Sequence, residues 1–120
     1  MEKIIEHSVG NKKIVEIVSD KIIIQDEQDA LDLMVNVEYK HGTKSIIVKD
    51  TNITPDFFNL KSGIAGTILQ KFSNYRCQLA IIGDFSRIES KAFRDFMYES
   101  NKTKQVLFLS DRHAALNNLG

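Results

Sequence analysis

The chain has 120 residues, 42% of them hydrophobic and 27% charged, with 16 basic and 16 acidic side chains in balance. That length predicts one domain, and the composition is that of an ordinary soluble globular protein. A single cysteine excludes an internal disulfide framework or a cysteine zinc site, zero net charge gives no general pull towards nucleic acid or membrane, and the apolar runs are far too short for a bilayer span.

Lys3–His7 and Asn11–Val18 read as strands joined through Val9-Gly10-Asn11, since Gly and Asn tolerate positive φ. Lys21–Ile24 is a further short β-branched run. Asp26 is the expected N-cap of a helix that Gly42 stops, with Ala30, Leu33, Met34 and Val37 as its apolar stripe. Ser45–Lys49 reads as an apolar strand ending at Asp50. Thr54–Ser73 follows as helix, then Gln78–Asp84 as a strand buried on both faces, because Leu79–Ile82 shows no alternation. Ser86-Arg87-Ile88-Glu89 has the form of a capping box opening a helix with Ala92, Phe93, Phe96 and Met97 inward. Val106–Leu109 reads as the last strand. Asp111–Leu119 reads as a short helix with Ala115, Leu116 and Leu119 inward.

This alternation predicts an α/β fold: a single domain, residues 1–120, whose mixed sheet has an N-terminal antiparallel hairpin followed by βα units. Nothing at the start reads as a signal peptide, so a cytoplasmic location is expected. Residues 1–60 carry 7 basic and 11 acidic side chains and residues 61–120 carry 9 and 5, an asymmetry that favours self-association or a charged protein partner.

The stretch from Asp50 to Gly66 carries the most functional information. It contains the only proline, a Ser-Gly step and two glycines three apart. Thr54 suits an N-cap, Pro55 the first helical position and Asp56 the positive end of a helix. Phe57, Leu60, Ile64, Ile68 and Phe72 fit one continuous helical stripe. Gly63 weakens a helix interior by about 1 kcal/mol, so a break over Asn59–Ser62 with a new helix from Ser62 is the alternative. A restart would set the Ser62 hydroxyl beside unpaired amides suited to an anion; an unbroken helix would leave Gly63 and Gly66 as close-packing residues. Asp50, Asp56, Phe57, Phe58, Lys61, Ser62, Gly63 and Gly66 are therefore the candidate partner-binding or switch residues.

The element order and Ser62-Gly63-Ile64-Ala65-Gly66 resemble the STAS domain of anti-sigma factor antagonists. That resemblance implies a regulatory module whose serine, matched by Ser62 with Gly63 after it, is phosphorylated by a partner kinase. The chain departs from that pattern in having Lys61 where the family has an acidic residue, and in a longer connection from Asp50. Ile53–Phe58, Gly63–Gly66 and Phe93–Phe96 are similar to stretches of a bacterial family, domain of unknown function 4180, which brings no established activity.

The competing chemistry is a Mg²⁺ site. Asp50, Asp84 and Asp111 end or follow strands, where ligands of open α/β sheets gather, and converging carboxylates there would serve phosphoryl transfer. Capping of turns and helices explains them equally, and no P-loop or dinucleotide fingerprint accompanies them. His7, His41 and His113 lie in different elements without metal-ligand spacing. Cys77 opens a buried strand as a small core residue. Arg87, Lys91 and Arg94 form a basic stripe, but the charge is not concentrated as nucleic-acid binding requires. The expectation is a non-enzymatic cytoplasmic binding module with a protein partner and no cofactor, capable of homodimerising through an edge strand or the Phe57-Phe58 surface, with the Mg²⁺ enzyme as the alternative.

Overall fold

A computed structural model describes residues 2–119. Five strands lie in sequence order across one sheet: β1 (Lys3–Val9), β2 (Lys12–Val18), β3 (Ser45–Lys49), β4 (Gln78–Ile82) and β5 (Val106–Leu109). β1 and β2 form the antiparallel hairpin, in register from Lys3 opposite Val18 to Val9 opposite Lys12. Gly10 turns it with φ of 62°. The remaining pairs are parallel, as the βα alternation requires.

The helices are α1 (Glu27–His41), α2 (Ile64–Asn74), α3 (Lys91–Thr103) and α4 (Arg112–Asn118). Side chains alternate along each strand, so Ile46 and Val48 join one core while Ile47 joins another. The larger core takes Ala30, Met34 and Val37 of α1, Ile68 and Phe72 of α2, and Phe93 and Met97 of α3. The smaller packs Ala115 and Leu119, at and just beyond α4, against Ile14, Ile47, Ala80 and Leu107. Cys77 is buried, its Sγ 3.1 Å from the Lys44 carbonyl, and desolvation pushes its thiol up to about 12, which leaves it without thiolate reactivity.

α1 starts where expected, the Asp26 carboxylate accepting from the Asp29 amide at 2.9 Å, and stops at left-handed Gly42. Three expectations are corrected. Lys21–Ile24 forms no strand; Ile24 makes one bridge to Ile53. The N-cap of α3 is Ser90, not Ser86, because Asp84 takes the Ser86 amide and hydroxyl and holds Phe85–Arg87 as a separate 3-10 turn. Ala92 then faces out, while Phe93 and Met97 remain buried. Finally, no helix spans Thr54–Ser73.

Candidate functional site

Beyond β3 the chain makes three 3-10 turns before α2 begins: Asp50–Asn52, Pro55–Phe58 and Leu60–Ser62. Asn52 organises the first. It is fully buried and its Oδ1 accepts from the Lys49 amide at 2.9 Å. Its Nδ2 donates to the carbonyls of Ser19 and Lys21, each at 2.9 Å. Its own carbonyl accepts from the Ile23 and Ile24 amides. One side chain thereby ties the β2–α1 connection to the end of β3. Asn52→Ala strands three backbone groups and should cost about 2 kcal/mol, measured by urea unfolding; a loss under half that would show the groups re-paired.

Phe57 anchors the second turn. It has no exposed surface, with ring centroids 5.1 Å from Phe58, 6.3 Å from Phe93 and 6.2 Å from Phe108. The sequence placed Phe57 on a partner-binding surface; it is a core residue. Phe58 is half-buried, packing on Phe85 and Phe93. It helps line a shallow apolar groove with Ile22, Asp50, Thr51, Ile53 and Pro55. Asp56 and Lys61 are exposed.

The third turn decides the question left open by the helical stripe. Asn59 accepts from the Lys61 amide through Oδ1 at 3.2 Å. The Ser62 hydroxyl lies 2.7 Å from the Asp56 carbonyl and 2.8 Å from that of Asn59, to which it donates, and it accepts from the Ile64 amide at 3.2 Å. These local bonds replace helical ones. Gly63 then takes φ of 78°, a left-handed conformation that costs an L-residue about 1–2 kcal/mol, and α2 begins at Ile64. Ser62 is exposed and directly precedes this helix start. A Cβ on Gly63 or Gly66 would meet nothing within 4 Å, so neither glycine serves close packing. The first amide to bond back into the chain as a helix is that of Thr67, to the Gly63 carbonyl. Across a shallow groove of about 250 Å³, Ser62, Gly63, Ile64 and Thr67 face Asp26 and Glu27 at the start of α1.

The three strand-end aspartates are engaged separately. Asp50 accepts from the Thr51 amide and lies against Gly83, where an added Cβ would come within 2.7 Å of its Cγ. Asp84 caps the Phe85–Arg87 turn, and hydrogen bonds from the Ser86 hydroxyl and amide hold its carboxyl below the usual range. Asp111 caps α4 by accepting from the Ala114 amide at 2.8 Å. Among the described residues no three His, Cys, Asp or Glu side chains are grouped to hold a metal ion. In the basic stripe, Arg87 pairs with Asp84 and Lys91 with Asp95.

The histidines are also separate: His7 bonds Glu16 at 2.8 Å, His41 bonds Glu6 at 2.5 Å, and His113 bonds Asn117 at 3.1 Å. The bond from His41 is the main reason the Glu6 carboxyl lies below its ordinary value. Sequence reasoning missed Glu16, whose side chain is 3% exposed and held by Arg112 through Nε to Oε1 at 2.7 Å and Nη2 to Oε2 at 3.0 Å. The signal was present: Glu16 is the one charged residue within Ile14-Val15-Glu16-Ile17-Val18.

Among the described residues no helix is long and apolar enough to cross a membrane. No curated protein and no solved structure matches the chain. The profile of one family, described as Domain of unknown function (DUF4180), matches residues 9–119, and the chain belongs to that family.

Proposed function

We propose that the chain is a non-enzymatic binding and regulatory module of the bacterial cytoplasm, with the Asp50–Gly66 segment as its working surface and Ser62 as its switch. The observation that carries this reading is the helix restart: an exposed serine hydroxyl directly before left-handed Gly63 and the N-terminus of α2. The resemblance of the Ser62-Gly63 sequence and the element order to STAS domains, read from the sequence, supports it.

The chemistry of a switch follows from the bonds Ser62 makes. Phosphorylation replaces the hydroxyl hydrogen, so the Asp56 and Asn59 carbonyls lose the side-chain donor and keep only the amides of Asn59 and Ser62. It adds about two negative charges, which the N-terminus of α2 and Lys61 attract while Asp26 and Glu27 repel. The two forces pull in different directions, so the Asp56–Gly63 turn would be reshaped and a protein partner would meet a different surface.

The test uses wild type, Ser62→Ala and Ser62→Asp as baits in native lysate, with intact-mass analysis of wild type and Ser62→Ala recovered from the same lysate supplied with ATP, the lysate providing the kinase. The expected result is a phosphate-sized mass gain absent from Ser62→Ala, and a partner whose capture changes several-fold with Ser62→Asp. Identical capture by all three proteins, with no mass gain, would refute the switch.

A further inference from the structure

β1 lies at one edge of the sheet, and no described strand pairs with its outer side. Alternate residues of an edge strand turn N–H and C=O groups outward, a template for another extended chain. β1 has seven residues and no proline. Edge strands are commonly blunted by being short, by proline or by charged side chains; the opposite edge, β5, has only four residues, whereas β1 is longer and carries Lys3 and Glu6, the latter already engaged by His41.

A groove of about 230 Å³ runs beside that edge, between β1 and one flank of α1. Ile4 and Ile17 form its sheet side, with Leu33 and Val37 of α1 opposite. Ile4, on the face of β1 that looks onto α1, is 42% exposed. His41, bonded to Glu6, closes the end nearest the C-terminus of α1. Glu2, Asp29 and Asp32 stand along the groove; Asp29 accepts from the Gln25 amide and Asp32 from the Gln28 side chain, and none of the three is in a salt bridge among the described residues. Lys40 is the only lysine or arginine that lines it.

We propose that this edge and groove bind an extended segment of a partner protein whose every second residue is either apolar or basic, so that both kinds lie on one face, added to the sheet as a sixth strand beside β1. Backbone pairing to β1 supplies the main-chain bonds, and every second side chain of the incoming strand turns towards α1. An apolar one meets Ile4 and Leu33, which are left accessible. A basic one meets Asp29, Asp32 or Glu2, which the charge of the rim favours.

The probe is an N-acetylated, C-amidated octapeptide in which every second residue is threonine and the others are lysine and valine in turn, so that lysines and valines share one face, added to the ¹⁵N-labelled protein and followed by NMR and calorimetry. Two further peptides have glutamate in place of lysine, or N-methyl groups on alternate amides. The expected result is saturable shifts confined to β1 and the groove flank of α1, loss of binding on N-methylation, and no binding of the acidic peptide. Glu2→Lys with Asp32→Lys, both exposed positions, should weaken the basic peptide about tenfold. Equal binding of the N-methylated or acidic peptide would overturn the proposal, as would shifts elsewhere. So would a concentration-dependent dimer in sedimentation that protects the β1 amides, since the occupant would then be a second copy. The peptide controls leave the protein unaltered, so misfolding of a variant cannot hide the answer.

Discussion

Phe57→Ala is expected to destabilise the protein by about 3–5 kcal/mol, the largest loss of any single truncation in the candidate segment. The ring is wholly buried among Phe58, Phe93 and Phe108, so removing it forfeits transfer energy and leaves a cavity that rings on three separate elements cannot easily close. Phe57→Leu keeps most of the apolar volume and should lose roughly 1–1.5 kcal/mol. The truncation has a second, local readout. Phe57 is the buried residue of the Pro55–Phe58 turn, and the carbonyls that accept from Ser62 belong to Asp56 and Asn59 on either side of it. Amide exchange at Ser62 and Gly63 should therefore accelerate more in Phe57→Ala than global stability alone requires. A loss under 1 kcal/mol in denaturant unfolding would show that the ring is not a keystone of the core.

The same turn shows where the sequence was legible and where it was not. Strands and the start of α1 were readable because their signals are local: apolar runs, Gly10 in the hairpin, and Asp26 capping within three residues. The Phe57–Phe72 stripe read equally well as one helix because consecutive 3-10 turns keep an apolar residue every three or four positions on the same side. Ser62 bonding to Asp56 and Asn59 carbonyls broke the tie, and only Gly63 could take the left-handed φ that followed. Asn52 carried no such signal. The carbonyls it donates to lie 31 and 33 residues away, so its role exists only once β2 and β3 are side by side. Ser86 was the cap expected for α3, and it is displaced by Ser90 because the Asp84 carboxylate engages the Ser86 amide and hydroxyl.

Replacing Arg112 by methionine should destabilise the protein at neutral pH and reverse the dependence of stability on pH in the acid range. Glu16 lies in the sheet face that α4 covers, its carboxylate shared between Arg112 and His7. Desolvation is the largest single influence on it and pushes its pKa up, but hydrogen bonds from Arg112 and His7 with their charges pull it down further, leaving it below its ordinary 4.5. A carboxyl whose folded-state pKa is lowered stabilises the fold above its ordinary value and loses that contribution as pH falls through the lowered one. Wild type should accordingly lose stability steadily below about pH 4. Without Arg112 the buried charge keeps only His7, and desolvation prevails. The folded-state pKa then rises above the unfolded one, so the variant is stabler with Glu16 protonated and weakens as pH rises through the raised pKa. Removing one partner leaves the buried Glu16 charge short of compensation, an effect that solvent moderates because half of the Arg112 side chain stays in water. Urea unfolding of both proteins across the acid range separates charge from packing, since methionine preserves the length of the arginine stem lying against the sheet. Glu16→Leu combined with Arg112→Met supplies the converse: with no charge left to desolvate, most of the lost stability should return and the acid dependence should flatten. Parallel pH profiles for wild type and Arg112→Met would show that the fold does not depend on this pair to hold α4 against β2.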